Sequence, residues 1–151
     1  MKREESIDYN IKAAWHAIAR MYNQQAVKQD ITTSIGFVLL NIDSQAGTPA
    51  TKIAPLMGLE ARSLTRMLKS MEEKGLIYKK PDPNDGRSVR IFLTPLGKEK
   101  KEISKIVVKL FNNKIYELVP REKLEVFFEV IKQISQVIEE NKIYESETIN
   151  Q

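Results

Sequence analysis

Three cations at helical spacing mark the middle of this chain. Arg62, Arg66 and Lys69 are four and three residues apart, so a helix would place them on one face. Ser63 and Thr65 add short hydroxyl side chains to the same segment, and no acidic residue occurs within it. Arginine, lysine and hydroxyl side chains bind phosphates and base edges, which is the chemistry of reading DNA in its major groove. The alternative is a solvated helix face without a partner.

A second charged cluster follows on a predicted β-hairpin. Asp85-Gly86 is typical of a tight hairpin turn, and Pro81 and Pro83 stiffen the tip that carries Arg87. An arginine on such a tip suits a narrow minor groove, where negative potential is concentrated. Because Asp85 would repel phosphates, we expect its carboxylate to accept hydrogen bonds from Arg87 or another arginine and to orient it. An ordinary solvent-exposed hairpin is the alternative.

The hydrophobic pattern predicts the elements that must position these clusters. A first amphipathic helix starts at Ile7 and runs for about 20 residues, and a buried second helix, capped by Thr32, Thr33 or Ser34, ends at Gly47. The later elements are a short helix from Pro49 to Gly58 with Thr48 as its N-cap, a helix from near Glu60 to Lys74, and a hairpin over residues 76–80 and 88–93. Two long helices follow, Leu96 to about Leu118 and Pro120 to about Ile143. Thr94 is the expected N-cap of the first of them, with Pro95 at its first position. Both ends of the chain are therefore predicted to be helical, with the strands between them.

The two helices before the hairpin match a helix-turn-helix motif. Gly58 allows the tight turn, and Ala54 is small enough to let the helices cross. Any helical hairpin can carry a glycine turn, so the cations on the second helix are what favour DNA recognition. Pro55 lies inside the first helix of the pair, where it removes one hydrogen bond and should kink or shorten the helix.

The positive charge is concentrated in this part of the chain. The formal net charge is +4, and residues 51–100 carry eleven lysines and arginines against six acids, between nearly neutral flanks. A local basic excess is typical of a polyanion-binding surface, although a lysine-rich solvated face has the same composition. The absence of cysteine excludes disulfides and thiolate metal sites. With no signal-peptide pattern and no membrane span in the sequence, a cytoplasmic location is expected.

Several of these residues also carry a family resemblance. The segments Ala54, Gly58-Leu59, Ser63-Leu64-Thr65-Arg66, Lys74-Gly75-Leu76-Ile77, Asp85-Gly86-Arg87 and Leu93-Thr94-Pro95-Leu96-Gly97 follow one another as in the MarR family of winged helix-turn-helix regulators. The most specific part is D-x-R followed by L-T-x-x-G. The resemblance covers nearly the whole chain, because the order of the helices also fits.

The resemblance implies a mainly α (α+β) fold in a single domain. A winged helix-turn-helix part (about 47–97) would lie between N- and C-terminal helices (about 1–46 and 96–151) that form an intertwined dimerisation region. It also implies a homodimer with two recognition helices in successive major grooves and wings in flanking minor grooves, and repression relieved by a ligand. The DNA-binding residues carried over are Arg62, Ser63, Thr65, Arg66, Lys69, Asp85 and Arg87.

The terminal helices favour a dimer on independent grounds. With Phe111, Phe127, Phe128 and many isoleucines and valines, they carry more apolar surface than a small winged domain can cover. An internal helical layer is the alternative. The expected function is a sequence-specific double-stranded DNA-binding regulator, a repressor that acts as a homodimer on a pseudo-palindromic operator. The second function considered is a winged-helix module that binds protein and not specific DNA.

No set of residues indicates catalysis, a metal site or a cofactor. The chain has one histidine, no glycine-rich phosphate loop and no acid pair at a defined spacing, so an enzyme has little support. The resemblance implies a small aromatic or anionic effector held between the dimerisation helices and the winged part, but no motif marks that pocket and no residue is carried over to it. Trp15, His16 and Tyr22 are candidate ligand residues from the sequence alone. Trp15 lies on the apolar stripe of the first helix and is expected in the core, whereas His16 is expected to have a packing or surface role.

Overall fold

The computed structural model describes residues 1–145, which are mainly helical with one small antiparallel sheet. A short 3-10 helix, Arg3–Glu5, precedes helices α1 (Ile7–Lys28) and α2 (Thr33–Leu40). The middle of the chain forms strand β1 (Thr48–Pro49), helices α3 (Ala50–Met57) and α4 (Ala61–Glu73), and strands β2 (Ile77–Asp82) and β3 (Asp85–Leu93). Helices α5 (Pro95–Leu118) and α6 (Arg121–Glu140) follow. This order confirms the predicted winged helix-turn-helix fold class.

The chain divides into two compact units, Met1–Val108 and the residues from Lys109 onward. The boundary falls inside α5, so the first unit contains all elements up to the start of that helix and the second contains α6. The predicted subdivision into a DNA-binding part and flanking dimerisation helices stays a prediction. The last six residues of that predicted dimerisation region, 146–151, lie outside the described residues.

Side chains from α2, α3, α4 and the sheet share one core in the first unit. Its members include Val38, Leu39, Ile42, Ile53, Leu76, Ile77, Ile91 and Leu93. Helix α4 contributes the stripe Leu64, Leu68 and Met71, whose side chains are 0–4% exposed. Burying an aliphatic side chain contributes about 1.5–3 kcal/mol, so this stripe decides which face of α4 turns inward. The opposite face of α4 is therefore left to solvent.

The sheet has the antiparallel order β1–β3–β2, and its register defines the tip of the hairpin. Asp82 pairs with Asp85, which leaves Pro83 and Asn84 as the turn. The prediction that Asp85 and Gly86 form the turn is therefore wrong: both lie in β3, and the φ angle of Gly86 is not positive. The Asp82 carboxylate accepts a hydrogen bond from the Asn84 N–H at 2.9 Å, so a side-chain-stabilised turn replaces the predicted Asp-Gly turn.

Two predicted helix boundaries also differ from the structure. Helix α2 ends at Leu40, well before Gly47, while Thr32 caps its start with the hydroxyl oxygen 3.1 Å from a backbone nitrogen of the first turn. Thr48 and Pro49 pair with β3 as a short strand, so they are not the N-cap and first turn of α3. The Thr48 hydroxyl accepts a hydrogen bond from the Asp43 N–H at 2.9 Å instead.

The α3–α4 pair keeps a tight turn although Pro55 lies within α3. Gly58 adopts the left-handed conformation with a φ of 64°, and the Leu59 N–H donates to the Ala54 carbonyl at 3.0 Å. Helix α3 is only eight residues long, in line with the shortening expected from Pro55. The turn therefore ends α3 at Met57 and lets α4 begin as a separate helix at Ala61.

The hairpin of β2 and β3, called the wing below, is joined to α5 by the residues of the L-T-x-x-G pattern. The contacts at this junction explain the pattern. The Thr94 hydroxyl accepts a hydrogen bond from the Gly97 N–H at 3.0 Å, which confirms the predicted N-cap, and donates to the Gly75 carbonyl at 2.6 Å. A Cβ atom at Gly97 would overlap the carbonyl oxygen of Leu76. Only glycine therefore lets α5 begin this close to the residues that precede β2.

Large apolar side chains are exposed on the three long helices α1, α5 and α6. On α6 the members are Val126, Phe127, Phe128, Val137 and Ile138, whose exposed fractions are 51–60%. Helix α6 ends at Glu140, before the predicted Ile143, because Asn141 is in the left-handed conformation with a φ of 52°. On α1, Trp15 is 49% exposed, so the prediction that it lies in the core is wrong. Its position on the apolar stripe places it on a face that the described chain leaves partly uncovered.

Candidate nucleic-acid interface

The outer face of α4 carries a row of exposed polar side chains. Arg62, Ser63, Thr65, Arg66 and Lys69 are all exposed, on the face opposite the buried stripe. We call Arg62, Arg66 and Lys69 the cation row; at a rise of 1.5 Å per residue it covers about 10 Å of helix. This length fits along the floor of a DNA major groove, which is about 12 Å wide.

The cation row has no carboxylate partner within the described part of the chain. Glu72, the next acid along α4, instead lies 3.9 Å from the ammonium group of Lys79 on β2. An exposed pair of this kind contributes little to stability, but it occupies the acid that could have neutralised the row. The positive charges of the row are therefore left for a polyanion to neutralise.

Thr65 has a defined hydrogen-bonding state. Its hydroxyl donates to the Ala61 carbonyl at 2.8 Å, one turn back along α4. Because the single donor is used, the hydroxyl can only accept a further hydrogen bond. An exposed acceptor and methyl group suit the amino group of cytosine and the methyl group of thymine, both of which lie in the major groove.

Arg87 lies next to the hairpin turn, is exposed, and forms no side-chain hydrogen bond or ion pair with residues 1–145. Asp85 Oδ1 accepts a hydrogen bond at 3.0 Å from the backbone N–H of Arg87, and not from its guanidinium. The Asp85 carboxylate thus holds the backbone of Arg87 and not its side chain. This hydrogen bond fixes β3 at the residue from which the arginine side chain extends. The guanidinium remains available for a partner.

Sequence reasoning missed the ion pair between Asp82 and Arg90. Arg90 Nη2 lies 3.8 Å from Asp82 Oδ2, and the Asp82 side chain is 6% exposed. Arg90 Nη1 also donates to the Ala46 carbonyl at 3.0 Å and lies 3.4 Å from that of Gly47. The positions of the two charges near the turn were visible in the sequence, but their pairing depends on the strand register.

Lys101 on α5 is a second missed residue. Its side chain is 7% exposed, and its ammonium group donates to the Ile42 carbonyl at 2.5 Å and to the Ser44 hydroxyl at 3.1 Å. Burial lowers the pKa of this ammonium group. The available signal was its helical spacing from Gly97 and Ser104, which places it on the inner side of α5.

Helices α1, α2 and α5 enclose an apolar cavity in the first unit. It offers about 390 Å³ not filled by atoms, part of it open to solvent, and its lining includes Tyr22, Ala26, Ile31, Phe37, Ile103 and Val107. None of its lining side chains is acidic or basic. Burial raises the pKa of the Tyr22 phenol, because an apolar environment disfavours its charged form.

Only one of the three candidate ligand residues lines this cavity. Tyr22 does so, whereas Trp15 and His16 are exposed on α1 and are not among the lining residues. The ring of Trp15 nevertheless lies 6.0 Å from that of Phe37, which does line the cavity. Trp15 is therefore close enough to respond to a change in the cavity without contacting its contents.

Two other kinds of site do not occur in residues 1–145. No group of three or more histidine, cysteine or carboxylate side chains is placed to hold a metal ion. No helix in the same range has both the length and the apolar character needed to cross a bilayer.

A winged helix-turn-helix module with an exposed cation row defines a class of nucleic-acid-binding domain, and comparisons with known proteins agree. The chain is 30% identical over 95 residues to the HTH-type transcriptional regulator TtmR of Methylorubrum extorquens. It is 29% identical over 96 residues to the HTH-type transcriptional regulator SarZ of Staphylococcus aureus. Both alignments cover 63% of this chain, but they span only 49% of TtmR and 65% of SarZ.

The structural comparison extends over more of the chain. The S. aureus MepR–DNA complex matches with a TM-score of 0.81 and 21% identity, over 87% of this chain and 98% of that chain, which shows a shared fold. The model of the MarR family matches residues 31–89, from two residues before α2 into β3. Over that segment the chain is similar to the MarR family, in agreement with the resemblance that its D-x-R residues carry.

Proposed function

We propose that this chain is a sequence-specific, double-stranded DNA-binding transcriptional regulator, a ligand-responsive repressor that acts as a homodimer on a pseudo-palindromic operator. The observation that carries the proposal is the cation row of α4, which is exposed and has no carboxylate partner in residues 1–145. Control of transcription requires access to chromosomal DNA, so a cytoplasmic location is part of the proposal.

In this proposal α4 is the recognition helix. Its arginines can bind guanine edges or phosphates, and Thr65 adds an acceptor and a methyl group next to them. Arg87 supplies a contact to the minor groove from the hairpin, the wing of this fold. With a few further cations from each subunit, about ten phosphates are neutralised per dimer. The logarithm of the binding constant should then fall with the logarithm of the salt concentration with a slope of roughly −9.

The homodimer is supported by the exposed apolar face of α6. Phe127 and Phe128 are 54% and 51% exposed, and exposed aromatic side chains of this number are costly to leave in water. A second copy of the chain covers such a face symmetrically and places two α4 helices on one duplex, with half-sites about one helical turn apart. A dimer that occupies its operator in this way blocks other proteins from the same DNA, which supports repression.

The effector part of the proposal is supported by the cavity between α1, α2 and α5. Its lining is mainly apolar with some neutral polar side chains, including Gln25, Thr33 and Ser104, and no lysine, arginine or histidine lines it to neutralise a carboxylate. Of the expected aromatic or anionic effectors, an uncharged aromatic molecule therefore fits better. Phe37 on α2 contacts both the cavity and the aromatic side chains of α1, so a ligand there would alter the packing of the helix that precedes the winged part.

Trp15, the single tryptophan of the chain, gives a direct test of the effector class. Titration with benzamide should change its fluorescence, whereas the isosteric anion benzoate should change it at least about tenfold less, because the anion would have to enter an apolar cavity without a cation. A stronger response to benzoate would overturn the uncharged class.

The competing function is a winged-helix module that binds protein through the same surface. It predicts that the cation row is only solvated, and hence that the chain is not retained on duplex DNA at low salt. Selection of bound duplexes from a random pool separates the two functions. Recovery of a palindrome with half-sites about ten base pairs apart would support the proposal, and equal recovery of all sequences would contradict it.

A further inference from the structure

Arg90 is placed to hold the wing and not to contact DNA itself. Its side chain is only 20% exposed, and its two terminal nitrogens face protein partners: Nη1 donates to the Ala46 carbonyl at 3.0 Å, and Nη2 lies 3.8 Å from Asp82 Oδ2. Asp82 in turn accepts a hydrogen bond from the N–H of the turn residue Asn84 at 2.9 Å. One guanidinium thus joins the base of the hairpin turn to the segment that precedes β1.

That segment, residues 41–47, is called the brace loop below. The Asp43 carboxylate accepts hydrogen bonds from the N–H groups of Gln45 at 2.9 Å and Ala46 at 2.6 Å, which closes the loop on itself. Gly47 has a φ of 67°, and a Cβ atom there would come within 2.7 Å of the Ile91 carbonyl oxygen. The brace loop is therefore internally bonded and seated directly against β3, as a stiff connector would be.

Lys101 holds the other end of the brace loop. Its buried ammonium group donates to the Ile42 carbonyl at 2.5 Å and to the Ser44 hydroxyl at 3.1 Å, so it ties the loop to α5. A lysine is seldom buried without several partners, because removing the charge from water is costly. Two cations on separate elements, Lys101 on α5 and Arg90 on β3, thus bind the same short loop at its two ends.

We propose that Arg90 and Lys101 are positioning residues for DNA binding: through the brace loop they fix the wing against α5, so that Arg87 is presented to the duplex in one orientation. The proposal rests on the proposed function, because it assigns a role in DNA contact to residues that do not contact DNA. It also gives α5, which lines the cavity through Ile103 and Val107, a direct connection to the wing.

The brace itself can be tested without DNA, by amide hydrogen exchange of the full chain. In Arg90→Gln, the amides of residues 41–47 and 82–90 should exchange about tenfold faster, while those of α4 are unchanged. Arg20→Gln, which removes the same charge from the exposed surface of α1, should leave both segments as in the wild type. If Arg90→Gln does not fold, Arg90→Lys takes its place, because it keeps the charge but cannot bridge both partners. Unchanged exchange in the brace loop would overturn the proposal.

The link to DNA can be tested by a double-mutant cycle with Arg87. Arg90→Gln alone should weaken binding to the selected duplex about tenfold. When Arg90→Gln is added to Arg87→Ala, binding should fall by at most about twofold further. This outcome is expected because Arg90 acts through Arg87. Fully additive losses would show that Arg90 contacts DNA independently, and they would overturn the positioning role.

Lys101→Met completes the test from the other end of the brace loop. It should weaken DNA binding about as much as Arg90→Gln, whereas Lys98→Met, an exposed lysine on the same helix, should have an effect of less than about threefold. Equal effects of the two lysine variants would overturn the role of Lys101. If the wild-type chain selects no duplex, the proposed function fails while the exchange experiment still reports on the brace; if it selects a duplex that these variants bind normally, only the positioning role fails.

Discussion

Helices α4 and α6 are both amphipathic, yet they expose opposite faces. In α4 the apolar stripe of Leu64, Leu68 and Met71 is buried, and the cation row is turned to solvent. In α6 the large apolar side chains are the exposed ones, with Phe127 and Phe128 more than half exposed. The hydrophobic pattern of each helix alone would not distinguish them.

The difference indicates two kinds of partner for two regions of one chain. A helix whose apolar face is already covered needs no further protein contact, and its exposed cations suit a polyanion. A helix that exposes aromatic side chains to water needs an apolar surface, which a second copy of the chain would provide in the proposed homodimer. In the proposed function, DNA therefore binds α4 and the dimer contact lies on α6. The following changes are ordered by the size of the effect expected from this assignment.

The largest effect is expected from charges on the apolar face of α6. Phe127→Glu combined with Phe128→Glu would bury two carboxylates in the dimer contact, so the chain should sediment as a monomer and lose at least about a hundredfold in DNA affinity. Lys123→Glu, which changes the net charge by the same amount on the same helix, should remain dimeric. A double variant that stays dimeric would refute the assignment of α6.

The next largest effect is expected from the centre of the cation row. Arg66→Ala removes one contact in each half-site, and a lost base contact costs about 1–3 kcal/mol, so affinity for the selected operator should fall about thirtyfold or more. Arg121→Ala removes an exposed arginine from α6 and should change affinity by less than about threefold. Fluorescence anisotropy at fixed salt measures both variants. Similar losses from the two would remove the distinction between the exposed faces.

A smaller effect is expected at the hairpin. Arg87→Ala should weaken binding about tenfold, and more for operators with A·T-rich flanks than for G·C-rich ones, because the narrow minor groove attracts arginine. Asp85→Ala should weaken it severalfold, since it removes the acceptor of the Arg87 N–H, whereas Asp85→Asn keeps an acceptor oxygen and should have less effect. Wild-type affinity in Asp85→Ala would show that this carboxylate does not orient the arginine.

The smallest effect concerns acid stability in the unit that contains α4. The N–H groups of Ala46 and then Gln45 hold the pKa of the Asp43 carboxyl below its usual value of 3.8. The folded state thus binds this proton less readily than the unfolded state, so Asp43 contributes stability above pH 3.8, which is lost as the pH falls through the lowered pKa.

Urea unfolding at several pH values tests this expectation. Asp43→Ala should be less stable than the wild type at pH 7, and its stability should decline less steeply in acid. The difference should not depend on protein concentration, whereas dissociation of a dimer would. Parallel pH profiles for the two proteins would contradict the role of Asp43.

Local signals in the sequence predicted much of the fold because they act over a few residues. Thr94 with Gly97 marked the start of α5, and Gly58 with the stripe of α4 fixed the helix-turn-helix pair. The predicted position of the hairpin turn was wrong. The turn lies at Pro83-Asn84, where the Asp82 carboxylate stabilises it, and not at Asp85-Gly86. Competing turn signals within a few residues can only be resolved by the pairing of the flanking strands.

The candidate site was predictable to the same extent. The cation row follows from helical spacing alone, since every position on the outer face of α4 is set by the buried stripe. The contacts of Arg90 and Lys101 with the brace loop were not predictable, because each joins residues more than forty positions apart in the chain. Exposure of the α6 aromatics was foreseen only as an excess of apolar surface, and Trp15 was wrongly expected in the core for the same reason.

Amide chemical shifts of the isotope-labelled full chain, recorded during titration with the selected duplex, report on α4 and α6 in one experiment. We expect residues 61–70 and 85–88 to shift on DNA binding, whereas residues 124–138 of α6 should keep their shifts because the partner chain of the proposed dimer already covers them. Shifts confined to α6, or an α4 that does not respond to DNA, would contradict this expectation.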